Sequence, residues 1–264
     1  MQKNLHYLLF FKYAAMKHLI FISLLVFFFT LANAGCKVKD KVTAQDLDMT
    51  NLVDADDKKK RFFDFMRPII NQENMKILSL RKSLLAAQKN NNRESFVART
   101  AKSYSLDWET GKEDWDKLLE RVDAVALELA LAQSANESAW GQSRFAQLGN
   151  NFFGQWCYIK GCGIIPEDRK KGAHHEVANF KSVNDSVSSY IKNINTAGVY
   201  APLRKARKKD RIAGKQPDAI AQAGGLTKYS ERREAYVKEI REMIRKNKEL
   251  MRGIKTTDKT IAYH

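Results

Sequence analysis

Residues 123–141 have the sequence DAVALELALAQSANESAWG, and this stretch decides how the fold is interpreted. Leucine, alanine and valine fill most positions up to residue 135, so a helix here would be apolar on nearly all of its faces. Such a helix belongs in the centre of a globular fold. We therefore predict a buried helix over residues 123–138 that holds Glu137 rigidly near its carboxyl end.

Glu137 has the surroundings of a catalytic acid. Its neighbours are largely apolar, and Trp140 follows three residues later. Burial among apolar groups disfavours a carboxylate and raises its pKa toward about 6–7, where the protonated form can donate a proton at neutral pH. A neighbouring aromatic ring also suits the binding of a sugar. On residue type alone, a glutamate exposed at a helix end is the alternative interpretation.

Two ordered motifs favour the catalytic interpretation. Glu137 begins the string Glu-Ser-Ala-Trp-Gly, and Asn151 begins Asn-Phe-Phe-Gly. With these motifs the chain resembles the Bax-like family of bacterial glucosaminidases, relatives of the flagellar-rod and autolysin enzymes that cut peptidoglycan. Shorter matching segments follow at residues 155–157, 161–163, 175–177 and 226–230. The resemblance covers about residues 123–244 and does not reach residues 37–111. Ordered motifs in combination are far more specific than a single pattern.

The resemblance implies an α+β, lysozyme-like fold, with a mainly helical core and a small β-hairpin lobe beside a substrate cleft. It also implies an endo-β-N-acetylglucosaminidase that cleaves the β-1,4 bond between N-acetylglucosamine and N-acetylmuramic acid. Carried over by position, Glu137 is the general acid, and Tyr229 lines the cleft near the scissile sugar. An ordinary core tyrosine is the alternative for Tyr229.

Two other functions are compatible with the same residues. A muramidase or lytic transglycosylase uses the same fold and a single glutamate but cuts after the other sugar. A wall-binding lipoprotein would keep the groove and lack turnover. The sequence implies no cofactor and no metal for any of the three.

The second carboxylate is not fixed by the sequence. Related enzymes place a glutamate on the hairpin lobe, where Glu167 and Glu176 are both candidates. Counting back from Phe180 favours Glu167, whereas counting forward from Glu137 favours Glu176. A separation of about 5–5.5 Å between the two carboxyl groups indicates a retaining enzyme, and about 6.5–9.5 Å an inverting one. A third route uses the 2-acetamido group of the substrate as the nucleophile.

Amide and aromatic side chains near the motifs are the predicted substrate contacts. Amides can bond sugar hydroxyls, and rings can pack on sugar faces. For Phe153, a place in the core is the competing interpretation. The candidates are Gln133, Trp140, Asn150, Asn151, Phe153, Trp156 and Tyr200.

Cys157 and Cys162 are close in sequence, and in an oxidising compartment such a pair is best interpreted as a disulfide that closes a short loop. The nearby His174 and His175 make a zinc site the competing interpretation. The spacing fits no common zinc pattern.

The N-terminus has the shape of a signal peptide over residues 1–35, with Met16 as a candidate true start. An apolar run at residues 19–31 precedes Ala-Asn-Ala, the small side chains that a signal peptidase accepts. Cys36 then stands where a lipoprotein carries its lipid, and lipidation and simple cleavage after residue 34 are both open. An uncleaved anchor is the alternative. We expect an exported protein, in the periplasm or anchored to a membrane and facing the periplasm.

The formal net charge of +16 raises nucleic acid as a partner. No nucleic-acid motif accompanies the charge, and an exported protein rarely meets DNA. Peptidoglycan strands are the expected partner, because a basic enzyme is attracted to the anionic wall. A monomer is expected.

The chain divides into four predicted regions. After the signal peptide, residues 36–111 form a charged linker and a helical extension, in which Pro68 separates two helical pieces. Residues 112–252 form the glucosaminidase domain, and residues 253–264 a flexible tail. Within the domain we expect a hairpin over residues 163–180 and a solvated basic helix face over residues 204–211. Further helices are predicted over residues 114–122, 182–194, 202–209, 218–223 and 231–251.

Overall fold

The computed structural model describes residues 41–90, 94–109 and 111–253. The predicted signal peptide, the candidate lipidation site Cys36 and the tail from residue 254 lie outside these residues. Within them the fold is α+β and lysozyme-like, a helical core with one small antiparallel sheet. No helix of the described part is long and apolar enough to cross a bilayer.

The helices of the described residues enclose one main hydrophobic core. In chain order they are α1 (Ala55–Asn90), α2 (Glu94–Ser103), α3 (Trp115–Arg121), α4 (Leu127–Glu137), α5 (Arg144–Gly149), α6 (Val183–Thr196), α7 (Ala201–Ile212), α8 (Ala219–Ala223) and α9 (Glu234–Arg252). Short 3-10 helices lie at Ala44–Asp46 and Gly198–Tyr200. The predicted helices corresponding to α3, α6, α7, α8 and α9 are confirmed, with ends shifted by a few residues.

Helix α5 lies in a segment that has no helical period in its apolar residues, so the sequence analysis does not predict it. Its caps explain it. The Ser143 hydroxyl accepts a hydrogen bond from the backbone N–H of Ala146 at 3.2 Å, which caps the start. Asn150 ends the helix in the left-handed conformation, with φ +50°.

Helix α4 runs through the centre of the core, as predicted, and packs against α1, α8 and α9. Every residue from Leu129 to Ala135 is buried. The helix begins at Leu127 and not at residue 123, because side chains of other elements hold the preceding backbone. Asn74 of α1 donates to the carbonyl oxygen of Val125 at 2.8 Å and accepts from its N–H at 3.1 Å.

Helix α1 corrects the prediction of a break at Pro68, because it is continuous through the proline. A proline inside a helix removes one hydrogen bond and costs about 3 kcal/mol or more. Buried side chains on both sides of Pro68 pack into the same core: Phe62, Phe63, Met66, Ile69 and Ile70. Each such burial contributes about 1.5–3 kcal/mol, so packing outweighs the cost of the proline.

The segment before α1 also differs from the charged linker predicted after the signal peptide. Val42 and Leu47 are buried in the main core. The N–H of Val42 donates to Asn184 Oδ1 at 3.1 Å. Leu47 covers Gly141 so closely that a Cβ added to this glycine would lie 2.5 Å from Leu47 Cδ2. The start of the described chain is therefore part of the folded body.

The small sheet forms the predicted lobe. Its strands are β1 (Trp156–Cys157), β2 (Gly163–Ile164) and β3 (Glu176–Ala178), in the order β1-β3-β2. The predicted hairpin is confirmed as the antiparallel pair of β2 and β3, and β1 is an additional strand that pairs with the other side of β3. Gly163 permits the close approach of β2 to β3, because a Cβ there would lie 2.0 Å from the carbonyl oxygen of Val177.

The basic run over residues 204–211 is only in part the predicted solvated surface, because Lys205 and Lys209 are exposed whereas two arginines of the run are buried. Arg204 and Arg207 are only 3% and 1% exposed. Arg207 is held by buried acceptors within 3.0 Å: the carbonyl oxygens of Glu120, Asp123 and Ala124, and Oδ1 of Asn195. Burial lowers the pKa of Arg207 to about 10. The guanidinium thus joins α7 to the backbone between α3 and α4.

Candidate active site

Glu137 ends α4, and its carboxyl group is half-buried. The hydroxyl of Tyr236 donates to Oε1 at 2.8 Å, and the amide of Asn136 donates to the same oxygen at 3.2 Å. The other oxygen, Oε2, faces the loop at Gly154, where an added Cβ would lie 3.6 Å away. The two oxygens of the carboxyl group therefore have different surroundings.

Burial raises the pKa of Glu137 above its usual value, as the sequence predicts. The hydrogen bonds from Tyr236 and Asn136 act in the opposite direction but are smaller than the effect of burial. Of the charged groups nearby, Arg232 lowers the pKa and Glu239 raises it. The carboxyl group consequently keeps its proton to a higher pH than an ordinary glutamate.

A chain of buried side chains lies behind Glu137. The amide nitrogen of Gln133 donates to the hydroxyl of Tyr236 at 3.0 Å, and the hydroxyl of Tyr190 donates to the amide oxygen of Gln133 at 2.7 Å. Gln133 and Tyr190 are 0% and 1% exposed. The chain links the catalytic candidate to α6 and α9.

Tyr236 is the residue that the sequence analysis misses. It lies on the buried face of α9 with Val237, Ile240 and Ile244, at the spacing typical of a core stripe. A tyrosine hydroxyl in such a stripe needs a buried hydrogen-bond partner. The presence of a tyrosine among these core positions is therefore the signal that could have identified Tyr236.

The structure corrects the prediction that the side chains of Gln133, Asn151 and Phe153 bind substrate. These side chains are only 0%, 1% and 2% exposed, respectively. The amide of Asn151 donates to the carbonyl oxygens of Gln155 and Ala178, each at 2.9 Å. These bonds shape the loop that carries Gly154. The three side chains lie beneath the surface of the site and support it, and they have no exposed surface to contact a sugar.

The other predicted contacts are placed as follows. Asn150 accepts from the N–H of Ala44 at 2.8 Å, so its amide serves the fold. Trp140 is half-buried and lines an open pocket of about 440 Å³ together with Glu239. Trp156 is 56% exposed, whereas Tyr200 is 7% exposed. The two tryptophans therefore keep ring surface for a ligand, and sugar binding by them stays a prediction.

Tyr229 lies beside the chain that holds Glu137. Its ring stacks on that of Tyr236, with centroids 5.4 Å apart, and its hydroxyl donates to the carbonyl oxygen of Phe153 at 3.0 Å. It also lines an open pocket of about 610 Å³ with Lys228 and Arg233. The hydroxyl is thus engaged by the backbone, and the residue borders the pocket.

Glu176, a candidate for the second carboxylate, is buried in the small sheet. It accepts from the N–H groups of Gly161 and Gly163 at 2.9 and 2.8 Å. These bonds lower the pKa of Glu176, so the group is held as a carboxylate. They order the loop that the disulfide between Cys157 and Cys162 closes. Both sulfur atoms belong to that bond and are not free thiolates for zinc.

Glu167, the other candidate, is exposed and forms an ion pair with Arg144 at 3.0 Å. Within the described residues, neither Glu167 nor Glu176 is among the charged groups that shift the pKa of Glu137. The structure therefore brings Tyr236, and neither of the two hairpin glutamates, into hydrogen-bond contact with the acid.

Residues 112–249 match the family model described as mannosyl-glycoprotein endo-beta-N-acetylglucosaminidase. The chain belongs to this glucosaminidase family. It is also similar to protein bax of Escherichia coli strain K12, with 32% identity over 200 residues that cover 74% of this chain and 71% of that protein. No solved structure shows a significant match.

Glucosaminidase membership places the chain among the glycoside hydrolases. The matched range includes Glu137, Gly154, Tyr229 and Tyr236. It begins after α1, although Phe62 of α1 packs edge-on against Trp140 with ring centroids 5.5 Å apart. The family region and the preceding helix thus share one core.

The raised pKa of Glu137 predicts a pH-dependent stability. Below the usual value of 4.5 the carboxyl is neutral whether the chain is folded or unfolded, and replacement by glutamine changes little. As the pH rises through the raised pKa, the folded wild type must bury a carboxylate and loses stability. We expect the unfolding temperature of Glu137→Gln to exceed that of wild type by a margin that grows between the usual and the raised pKa and is constant above it, measured by calorimetry.

Glu242→Gln is the control with the opposite sign. The hydrogen bond from Lys246 lowers the pKa of Glu242, so the wild-type residue stabilises the fold above its usual pKa. A difference between Glu137→Gln and wild type that is independent of pH would contradict the assignment of a raised pKa to Glu137.

Proposed function

We propose that this glucosaminidase is an endo-β-N-acetylglucosaminidase of peptidoglycan that cleaves between N-acetylglucosamine and N-acetylmuramic acid. The observation that carries the proposal is the half-buried carboxyl group of Glu137, whose pKa is raised by burial. A protonated carboxyl of this kind suits general acid catalysis at neutral pH. Membership in a family of glucosaminidases supports the choice of sugar.

In the proposed reaction, Glu137 donates its proton to the glycosidic oxygen. The bond from C1 to that oxygen breaks, and the leaving sugar keeps the electron pair as a hydroxyl group. The carbonyl oxygen of the substrate's own 2-acetamido group bonds to C1. Glu137, now a carboxylate, takes a proton from water, the water oxygen replaces the acetamido oxygen on C1, and the acid is regenerated.

This substrate-assisted route is favoured over a protein nucleophile by the positions of the two hairpin glutamates. Glu176 is occupied by backbone N–H donors, and Glu167 is paired with Arg144. The route requires one acid and a polar environment for the acetamide, without a second carboxylate.

Glutamine substitutions on the hairpin test this choice. We expect Glu167→Gln to leave kcat close to wild type. Glu176→Gln introduces an amide N–H opposite the backbone N–H groups of Gly161 and Gly163, so it should lower the unfolding temperature. Its loss in kcat should stay below the ~100-fold typical of a lost general acid or base. A larger loss in correctly folded Glu176→Gln would restore Glu176 as the second catalytic carboxylate.

Product analysis tests the bond that is cut. Purified peptidoglycan is digested with wild type and with Glu137→Gln, and the fragments are identified by mass spectrometry after reduction. We expect reducing-end N-acetylglucosamine from wild type alone. Reducing-end or anhydro-muramic products would instead assign a muramidase or a lytic transglycosylase. A wild type without products would support a wall-binding protein.

The proposed substrate requires export, for which the signal-like residues 1–35 are the support. The formal charge of +16 would draw the protein to the anionic wall. We propose a monomer that acts outside the cytoplasm, with or without a lipid on Cys36. Labelling cells with an alkyne fatty acid, for wild type and Cys36→Ser, distinguishes the lipoprotein from the cleaved soluble form.

A further inference from the structure

We propose that Gln133, oriented by Tyr190, is a positioning residue that directs the acidic proton of Glu137 onto Oε2. The inference rests on the proposed role of Glu137 as the general acid. It concerns which of the two carboxyl oxygens carries the proton, and it assigns this choice to buried side chains that have no free surface for a substrate.

The argument begins with the order of donors in the buried chain. The hydroxyl of Tyr190 donates to the amide oxygen of Gln133, which leaves the amide nitrogen of Gln133 to face Tyr236. An amide nitrogen is a donor only. The hydroxyl oxygen of Tyr236 must therefore accept from Gln133, and its own proton is directed to Oε1 of Glu137, 2.8 Å away.

The opposite order would place the proton of Glu137 on Oε1. The amide of Gln133 would be reversed, Tyr236 would donate to it, and Glu137 would have to donate to Tyr236. Asn136 disfavours that order, because its amide nitrogen also lies 3.2 Å from Oε1 as a donor. Two donors that converge on Oε1 leave Oε2 as the oxygen for the acidic proton.

Oε2 has the surroundings that proton transfer requires. Among the residues described by the structure, both donors to the carboxyl group of Glu137 bond to Oε1 and none bonds to Oε2. A Cβ added to Gly154 would lie 3.6 Å from Oε2, and glycine leaves that position empty. Gly154 has a φ of +62°, a conformation that glycine adopts without strain. The loop thus leaves room beside Oε2 for the oxygen of a bound sugar.

The same order of hydrogen-bond donors also suits the return of a proton to Glu137 after the glycosidic bond is broken. After donation, both oxygens of Glu137 can accept, but Tyr236 still donates to Oε1. The water that attacks C1 then loses its proton to Oε2. One oxygen acts as acid and base, while the other is held by the buried chain throughout.

A titration that observes Glu137 directly tests the proposal. The protein is labelled with glutamate carrying 13C in the carboxyl group, and Glu137→Gln identifies the signal of Glu137. The pKa is measured for wild type, Gln133→Met, Tyr236→Phe and the double variant. Tyr190→Phe is a milder second route to the same change, because it removes only the hydroxyl that orients Gln133.

Each single variant should raise the pKa of Glu137 by about half a unit to one unit, the size expected for one hydrogen bond. Tyr236→Phe removes a donor from the carboxylate. Gln133→Met frees the Tyr236 hydroxyl to accept from the protonated carboxyl, which favours the neutral form. The double variant should match Tyr236→Phe alone, since Gln133 acts through the Tyr236 hydroxyl.

Thr100→Val is the matched control, because it removes a buried hydroxyl bond to Phe96 in a separate hydrophobic cluster. It should leave the pKa of Glu137 unchanged. An unchanged pKa in folded Gln133→Met and Tyr190→Phe, or additive shifts in the double variant, would overturn the proposal. The titration needs no turnover, so a failure of the proposed function appears separately, as a wild type that releases no sugar.

Discussion

Replacement of Glu137 by glutamine is expected to lower kcat on peptidoglycan by about 10²–10⁴-fold while the fold is retained. Glutamine has nearly the same shape and keeps an oxygen that can accept from the hydroxyl of Tyr236, 2.8 Å from Oε1 in the wild type. Its amide cannot transfer a proton to the glycosidic oxygen. KM should change little, because the other side chains of the site are untouched.

The control for this variant is Glu128→Gln, the same chemical change on the same helix. Glu128 forms an ion pair with Arg252 at 2.7 Å, away from the acid. Its replacement should leave kcat within a few-fold of wild type. Turnover by Glu137→Gln at the wild-type rate, measured as new reducing ends, would remove Glu137 from the mechanism.

Nε of Arg207 lies 3.9 Å from Oδ2 of the buried Asp123, so the two form a buried charge pair. Replacement of Arg207 by methionine is expected to cost about 3–5 kcal/mol in the free energy of unfolding, the size found when one partner of such a pair is lost. Methionine fills most of the volume but donates nothing. The buried carbonyl oxygens of Glu120, Asp123 and Ala124 then lose a donor, and each unsatisfied group adds to the cost.

Denaturant unfolding measures this loss, with Lys209→Met on the same helix as the comparison. Lys209 is exposed, so its replacement should change the free energy of unfolding by less than about 0.5 kcal/mol. Equal stability of Arg207→Met and Lys209→Met would show that the buried guanidinium contributes nothing to the fold.

The sequence predicts the central helix and its acid because both are local features. The apolar run before Glu137 specifies burial, and the motif after it identifies the family. The helices predicted over residues 182–194 and 218–223 likewise begin and end within a few residues of their observed bounds. Such features depend on neighbours in the chain.

The residues that the sequence analysis misplaces depend on distant contacts. Gln133 is taken for a substrate contact because nothing local shows that Tyr190 and Tyr236 will meet its amide. Arg207 is assigned to solvent because its acceptors are backbone carbonyls, which carry no sequence signal. Pro68 is assigned to a break because the burial of its neighbours depends on the whole core.

The packing of Leu47 and Phe62 around Gly141 has a practical consequence for anyone who shortens this protein. A fragment beginning at residue 112, where the family match starts, would lack the side chains that cover one side of the hydrophobic core. Trp140 would then be exposed to water. The smallest autonomous hydrolase should therefore extend upstream to about Val42, well beyond the start of the family match at residue 112.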